Sequence, residues 1–136
     1  MRIAMAEQAG PPETLVLKEG QVPTPGSGQV LVRVAYSPLN PLDTHARADR
    51  IKWSHPGFPF IPGYEFCGRV QAVGADVDAK WIGKRVSSAG EWGGNAEYAL
   101  ATAARLVSIP DAFSWQTGAT FSTCAPTAWH LVHSAG

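Results

Sequence analysis

Short apolar runs, each cut off by proline or glycine, set the rhythm of this chain. Residues 2–6 and 15–17 are two such runs on either side of Gly10, Pro11 and Pro12, a pattern that predicts two strands about a turn. After a break at 23–28 the stretch 29–36 is the firmest strand, because its β-branched and aromatic side chains suit a pleated, half-buried surface. Further strands are predicted at 66–73, from 83–86 onward, at 95–101 and at 105–109, with a turn at 74–78. Asn40, Pro41 and Asp43 together have the grammar of a helix start: a capping amide, a proline where no amide hydrogen is needed, and an acid near the positive end of the dipole. A short helix over 40–47 follows. Ser114 opens a second helix as its cap, and 124–133 forms a third with Pro126 in its first turn. The stretch 55–63 holds Pro56, Pro59 and Pro62 and is predicted to be an ordered loop. Seven or eight short strands with helices gathered late make an α+β fold that is mainly β.

Composition narrows the picture. The chain has 136 residues, 45% of them hydrophobic and 16% charged, enough for one domain with its own core. Its 11 prolines and 14 glycines are scattered, which suits a barrel-like domain better than a linker. Lysine plus arginine balances aspartate plus glutamate at 11 each, so no basic field draws nucleic acid or an anionic membrane. No apolar run approaches the roughly 18 residues that span a bilayer, and the first twenty residues carry no leader, so the expected location is cytoplasmic. Two cysteines, Cys67 and Cys124, form no C-x-x-C pair and are expected to be reduced. No G-x-G-x-x-G turn follows a strand, so the chain does not carry a dinucleotide fold of its own.

Three segments point to a family. The run from Pro62 to Val77, PGYEFCGRVQAVGADV, resembles the P-G-x-E-x-x-G-x-V-x-x-V-G-x-x-V run of medium-chain dehydrogenases/reductases. Gly83 to Val86 is similar to the G-D-R-V that follows it, and Gly94 to Tyr98 to the A-E-Y segment after that. The resemblance implies a GroES-like, partly open barrel with short helices. It further implies a catalytic domain over 1–122, with 123–136 beginning the helix that leads to a Rossmann domain outside this chain. That domain would be its partner, together with a small-molecule substrate.

The zinc alcohol dehydrogenases of this family hold their catalytic metal with a cysteine, a histidine and a second cysteine. The matching positions here are Asn40, Tyr64 and Thr123, with Cys124 one residue off, and 87–94 lacks the cysteines of a structural zinc lobe. Zinc needs three or four nitrogen or sulfur donors, so no metal is expected. The resemblance then implies the zinc-independent quinone oxidoreductase branch, in which NADPH gives a hydride to the electron-poor C=C bond of a quinone, enone or enoyl thioester. A zinc-dependent alcohol dehydrogenase and a non-catalytic binding domain are the competing readings.

The same resemblance nominates site residues. Asn40 would contact the nicotinamide or ribose, or would only cap its helix. Asp43 would orient the site or a water, or complement the helix dipole. His45 would give a proton or hydrogen bond to the substrate carbonyl, or lie as a surface histidine. The Tyr64 hydroxyl would face the substrate, or its ring would fill the lost metal site. Thr127 would lie beside the nicotinamide. Trp92 would be a flat wall for a conjugated substrate, or an anchor to the second domain. Glu65 is expected in a supporting role, and neither Cys67 nor Cys124 as a nucleophile. His130 and His133 share a helix face without a third ligand. Trp129 and Leu131 would face the second domain and otherwise need cover, for which a homodimer is one candidate.

Overall fold

In the computed structural model, which describes residues 1–134, the two longest strands form the middle of the sheet. They are β3 (Gln29–Tyr36) and β4 (Glu65–Val73), paired antiparallel. The remaining strands are β1 (Arg2–Ala6), β2 (Leu15–Glu19), β5 (Arg85–Ala89), β6 (Tyr98–Thr102) and β7 (Val107–Ser108). The helices are α1 (Pro41–Arg47), α2 (Trp115–Ala119) and α3 (Cys124–His133). One sheet has the order β6-β3-β4-β5-β7, and β1 and β2 make a separate hairpin. The isolated bridges Ile3–Ala96 and Ala6–Phe60 tie that hairpin to the rest. The edge strands β6 and β7 do not meet, so the sheet stays open. This is the mainly β, partly open arrangement that the sequence predicts.

Period-two alternation explains the core. Val30, Val32, Phe66, Val70, Val86, Ala99 and Ala101 pack together as one buried cluster. Along β4 the intervening residues Glu65, Cys67 and Arg69 point the other way. On that side Cys67 packs with Ile109 and Ala119, and Trp115 covers them. Helix α2, capped by Ser114 Oγ accepting from Thr117 N at 3.0 Å, therefore lies over the second face of β4. Arg85 fixes it there: its guanidinium sits 4.2 Å from the Trp115 ring and donates to the carbonyls of Pro110, Asp111 and Phe113.

Two predicted strands come out shorter. The one expected at 95–101 begins at Tyr98, because Asn95 and Glu97 turn to β1: Ala4 N donates to Asn95 O at 2.9 Å and Glu97 N to Arg2 O at 3.1 Å. The one expected at 105–109 shrinks to two residues after a 3-10 turn over Ala103–Arg105. All three helices lie where predicted. Pro126 is tolerated because the first-turn amides of α3 have no partner within the helix.

The proline-rich loop is ordered, as its composition predicts. Its Phe58–Pro59 bond is cis, and Ala6 and Phe60 exchange backbone hydrogen bonds at 2.9 and 3.1 Å. The rings of His55, Phe58, Phe60 and Trp92 pack against one another, His55 stacked on Phe60 and the other pairs tilted or edge-on, with centroids 4.9 to 5.4 Å apart. Gly63 ends the loop at φ +95°, where a Cβ would stand 2.4 Å from Asn95 N, so no larger residue fits.

Candidate functional site

Three stretches far apart in the chain converge at the end of β4: residues 40–43, 63–65 and 122–127. Asp43, in the first turn of α1, organises the first two. Its carboxylate is buried and accepts from Asn40 N at 2.9 Å, Gly63 N at 2.9 Å and Tyr64 N at 3.1 Å. With three backbone donors on it, the group fixes the loop that carries Tyr64.

Glu65 organises the third stretch. It is fully buried, and its Oε1 accepts from Ser122 N at 2.9 Å and Thr123 N at 2.7 Å. Its Oε2 accepts from Asn40 Nδ2 at 3.3 Å and lies 3.9 Å from Cys124 Sγ. The Asn40 amide nitrogen thus points to Glu65, and its Oδ1 takes the Cys124 S–H at 3.4 Å. Burial, and then the neighbouring charge and hydrogen bond of Glu65, push the Cys124 thiol above its ordinary range.

Beside this cluster lies a cavity of about 720 Å³, lined by Tyr64, Gly90, Ser122, Thr123, Thr127 and His130 among others. The Tyr64 ring is held edge-on by Trp92 at 5.2 Å. Its hydroxyl lies toward Gly90, where a Cβ would stand 3.8 Å from it. Gly90 has φ +94°, a conformation that favours glycine, and a Cβ there would stand 2.5 Å from the Arg105 guanidinium. Thr127 Oγ1 donates to Thr123 O at 2.7 Å, one turn back on α3.

The nominated residues therefore separate into two groups. Tyr64 and Thr127 line the cavity, while Asn40 and Asp43 stand in the adjoining hydrogen-bonded cluster and loop anchor. His45 and Trp92 are not among the described residues lining the cavity. The Nδ1 of His45 is buried without a hydrogen-bond partner. Trp92 donates its Nε1 to Ser54 O at 2.5 Å and packs with Ala6, Ala46 and Phe60, so it supports Tyr64 from behind instead of walling the cavity. His130 lines the cavity, and the His133 ring lies tilted against Trp129 with centroids 4.0 Å apart.

The pairing of Glu65 with the amides of 122 and 123, and of Cys124 with Asn40, escaped the sequence reading. One signal was present: a carboxylate on the same side of a strand as the apolar Cys67 must find donors when it is buried.

The side-chain groups gathered in this cluster are one amide, one carboxylate and one thiol. Among the described residues no group of three or more His, Cys, Asp or Glu is gathered to hold a metal, and no helix is long and apolar enough to cross a membrane.

The family model of the alcohol dehydrogenase GroES-like domain matches residues 26–111, and the chain belongs to that family. It is 36% identical over 138 residues to a quinone oxidoreductase of Lama guanicoe, covering 99% of this chain and 42% of that protein. A human quinone oxidoreductase is 35% identical with the same coverage. Among solved structures, mycobacterial Rv1454c complexed with NADPH superposes with a TM-score of 0.89 at 30% identity, covering 98% of this chain and 41% of that one. The chain thus spans about 42% of the length of the curated relatives it matches.

Proposed function

We propose that this chain is the substrate domain of an NADPH-dependent oxidoreductase that reduces quinones, enones or enoyl thioesters without zinc. The nucleotide would be held mainly by a Rossmann domain outside the chain. The observation that carries this reading is a hydrogen-bonded cluster of Asn40, Glu65 and Cys124 beside an open cavity. Asn40, Glu65 and Cys124 bond to one another, and the Glu65 oxygens already serve four donors. Such a set offers zinc one protonated sulfur and no imidazole, which does not fit its tetrahedral nitrogen and sulfur preference. The similarity to quinone oxidoreductases and to an NADPH-complexed structure supports the same reading.

Thr127 and the Asn40 amide are the groups of this chain that would touch the nicotinamide, and the bound cofactor would supply the hydride. The chain's own part is to receive the charge that develops on the substrate oxygen. Tyr64 is the donor placed for this, its ring braced by Trp92 and its backbone held by Asp43 before any substrate arrives. Asp43 acts through the loop it fixes, and the protein need not supply a Lewis acid.

The test uses a protein that contains this chain together with its nucleotide-binding domain. NADPH consumption is followed with a p-quinone and with an enone, before and after treatment with a chelator. We expect reduction that survives chelation and a Tyr64→Phe variant about 10²-fold or more slower in kcat with KM little changed, in line with the loss of one donor to a developing oxyanion. Activity abolished by the chelator and restored by zinc would overturn the proposal.

A further inference from the structure

We infer that Glu65 is the positioning residue of this cleft, binding the turn before α3 to strand β4 and holding the Cys124 thiol as a hydrogen-bond donor beside Asn40. This rests on the reading of the cleft as a site for electrophilic substrates.

A carboxylate that is fully buried must be compensated by hydrogen bonds or a counter-charge. For Glu65 the compensation is N–H and S–H donors, all of which belong to cleft residues: Ser122, Thr123, Asn40 and Cys124. The backbone bonds set where α3 starts, and with it Thr127, whose own bond runs back to Thr123. The position of the proposed cofactor contact is therefore decided by a carboxylate on a strand 62 residues earlier, counting from Glu65 to Thr127.

The sulfur of Cys124 faces two oxygens, Asn40 Oδ1 at 3.4 Å and Glu65 Oε2 at 3.9 Å. The Asn40 amide nitrogen is turned to Glu65, so the oxygen it shows the thiol is an acceptor, and the carboxylate is acceptor only. Only the protonated thiol has a hydrogen to give to either oxygen, whereas a thiolate would meet lone pairs on each side. Glu65 is the charged group that faces it among the described residues, in keeping with the upward push on this thiol. The consequence is protective. A thiolate at this point would add to the electron-poor C=C of a quinone or enone: sulfur forms a bond to carbon, the π electrons move to the carbonyl oxygen, and that oxygen takes the proton the thiol lost. Cys124 is exposed, so the site is guarded by the protonated state of the thiol rather than by lack of access to it.

The test is site-resolved alkylation of the full chain by iodoacetamide as a function of pH, with Cys124 and Cys67 separated by peptide mass spectrometry. Folding is checked in parallel by near-UV circular dichroism. Glu65→Gln removes the charge and turns an amide donor toward the sulfur, so the Cys124 profile should move to lower pH and the neutral rate rise severalfold. The amides of Ser122 and Thr123 should exchange with solvent faster in the same variant. A folded Glu65→Gln protein with an unchanged Cys124 profile overturns the inference. Should that variant fail to fold, Asn40→Asp tests the same geometry from the other side: a second carboxylate beside the sulfur should slow Cys124 alkylation, and an unchanged profile overturns the inference. Neither readout depends on NADPH or on turnover, so failure of the proposed reaction would leave this result to be judged separately.

Discussion

The two faces of strand β4 are built on opposite terms. On one, Phe66 and Val70 meet Val30, Val32, Val86, Ala99 and Ala101, all apolar. On the other, Glu65 reaches the amides of 122 and 123, Cys67 lies under Ile109 and Ala119, and Arg69 and Arg85 flank Trp115. The apolar face is governed by volume, since dispersion and the hydrophobic effect have no direction. The polar face is governed by placement, since each buried donor or acceptor has to find a particular partner atom. The strand thus anchors the domain with one side and shapes the cleft with the other.

If that contrast is correct, cutting into the two faces should give different kinds of damage. The largest loss of stability is expected for Phe66→Ala, which empties the centre of the core: about 3–5 kcal/mol by denaturant unfolding, from the usual cost of removing a buried phenyl ring. A loss below about 1 kcal/mol would mean that the core closes around the gap and that volume does not govern this face.

The next effect is a pH dependence from the other face. Burial, assisted by the charge of Glu65, pushes the Cys67 thiol from 9.0 up to about 11 against the opposing Tyr36 backbone bond and Arg85. A pKa raised in the folded state means that the native protein keeps the proton which the unfolded chain releases. The contribution is therefore fully present below pH 9 and is lost as pH rises through about 11. Unfolding free energies should fall by about 2–3 kcal/mol more across that window in the parent protein than in Cys67→Ala, each pKa unit corresponding to about 1.4 kcal/mol. Equal slopes in the two proteins would show that the thiol is solvated despite its position.

The smallest effect belongs to the cover over that face. Ser114→Ala removes the side-chain acceptor for Thr117 N at 3.0 Å and should cost about 1 kcal/mol. The cleft side should respond more than the core, visible as faster amide exchange in α2 than at Val30 or Val70. Uniform exchange throughout would show that the two faces open together as one unit.

Much of this molecule follows from local rules that need no knowledge of the fold. The β-branched residues of β3, the cap, proline and acid at the start of α1, and the prolines of 55–63 each specify their own conformation through sterics and nearby hydrogen bonds. The residue types at 40, 64 and 123 are likewise plain in the sequence, and with them the question of what replaces a metal. What tertiary structure alone decided is which side chains meet. Glu65 finds its donors 57 and 58 residues away, and Cys124 meets Asn40 across 84. Trp92 packs on Phe60 and donates to Ser54 instead of lining the cavity. Local sequence fixes backbone conformation because its causes are local. The meeting of distant polar groups depends on strand register and on how the loops close over the sheet, and a small shift in either would hand the same carboxylate a different set of partners.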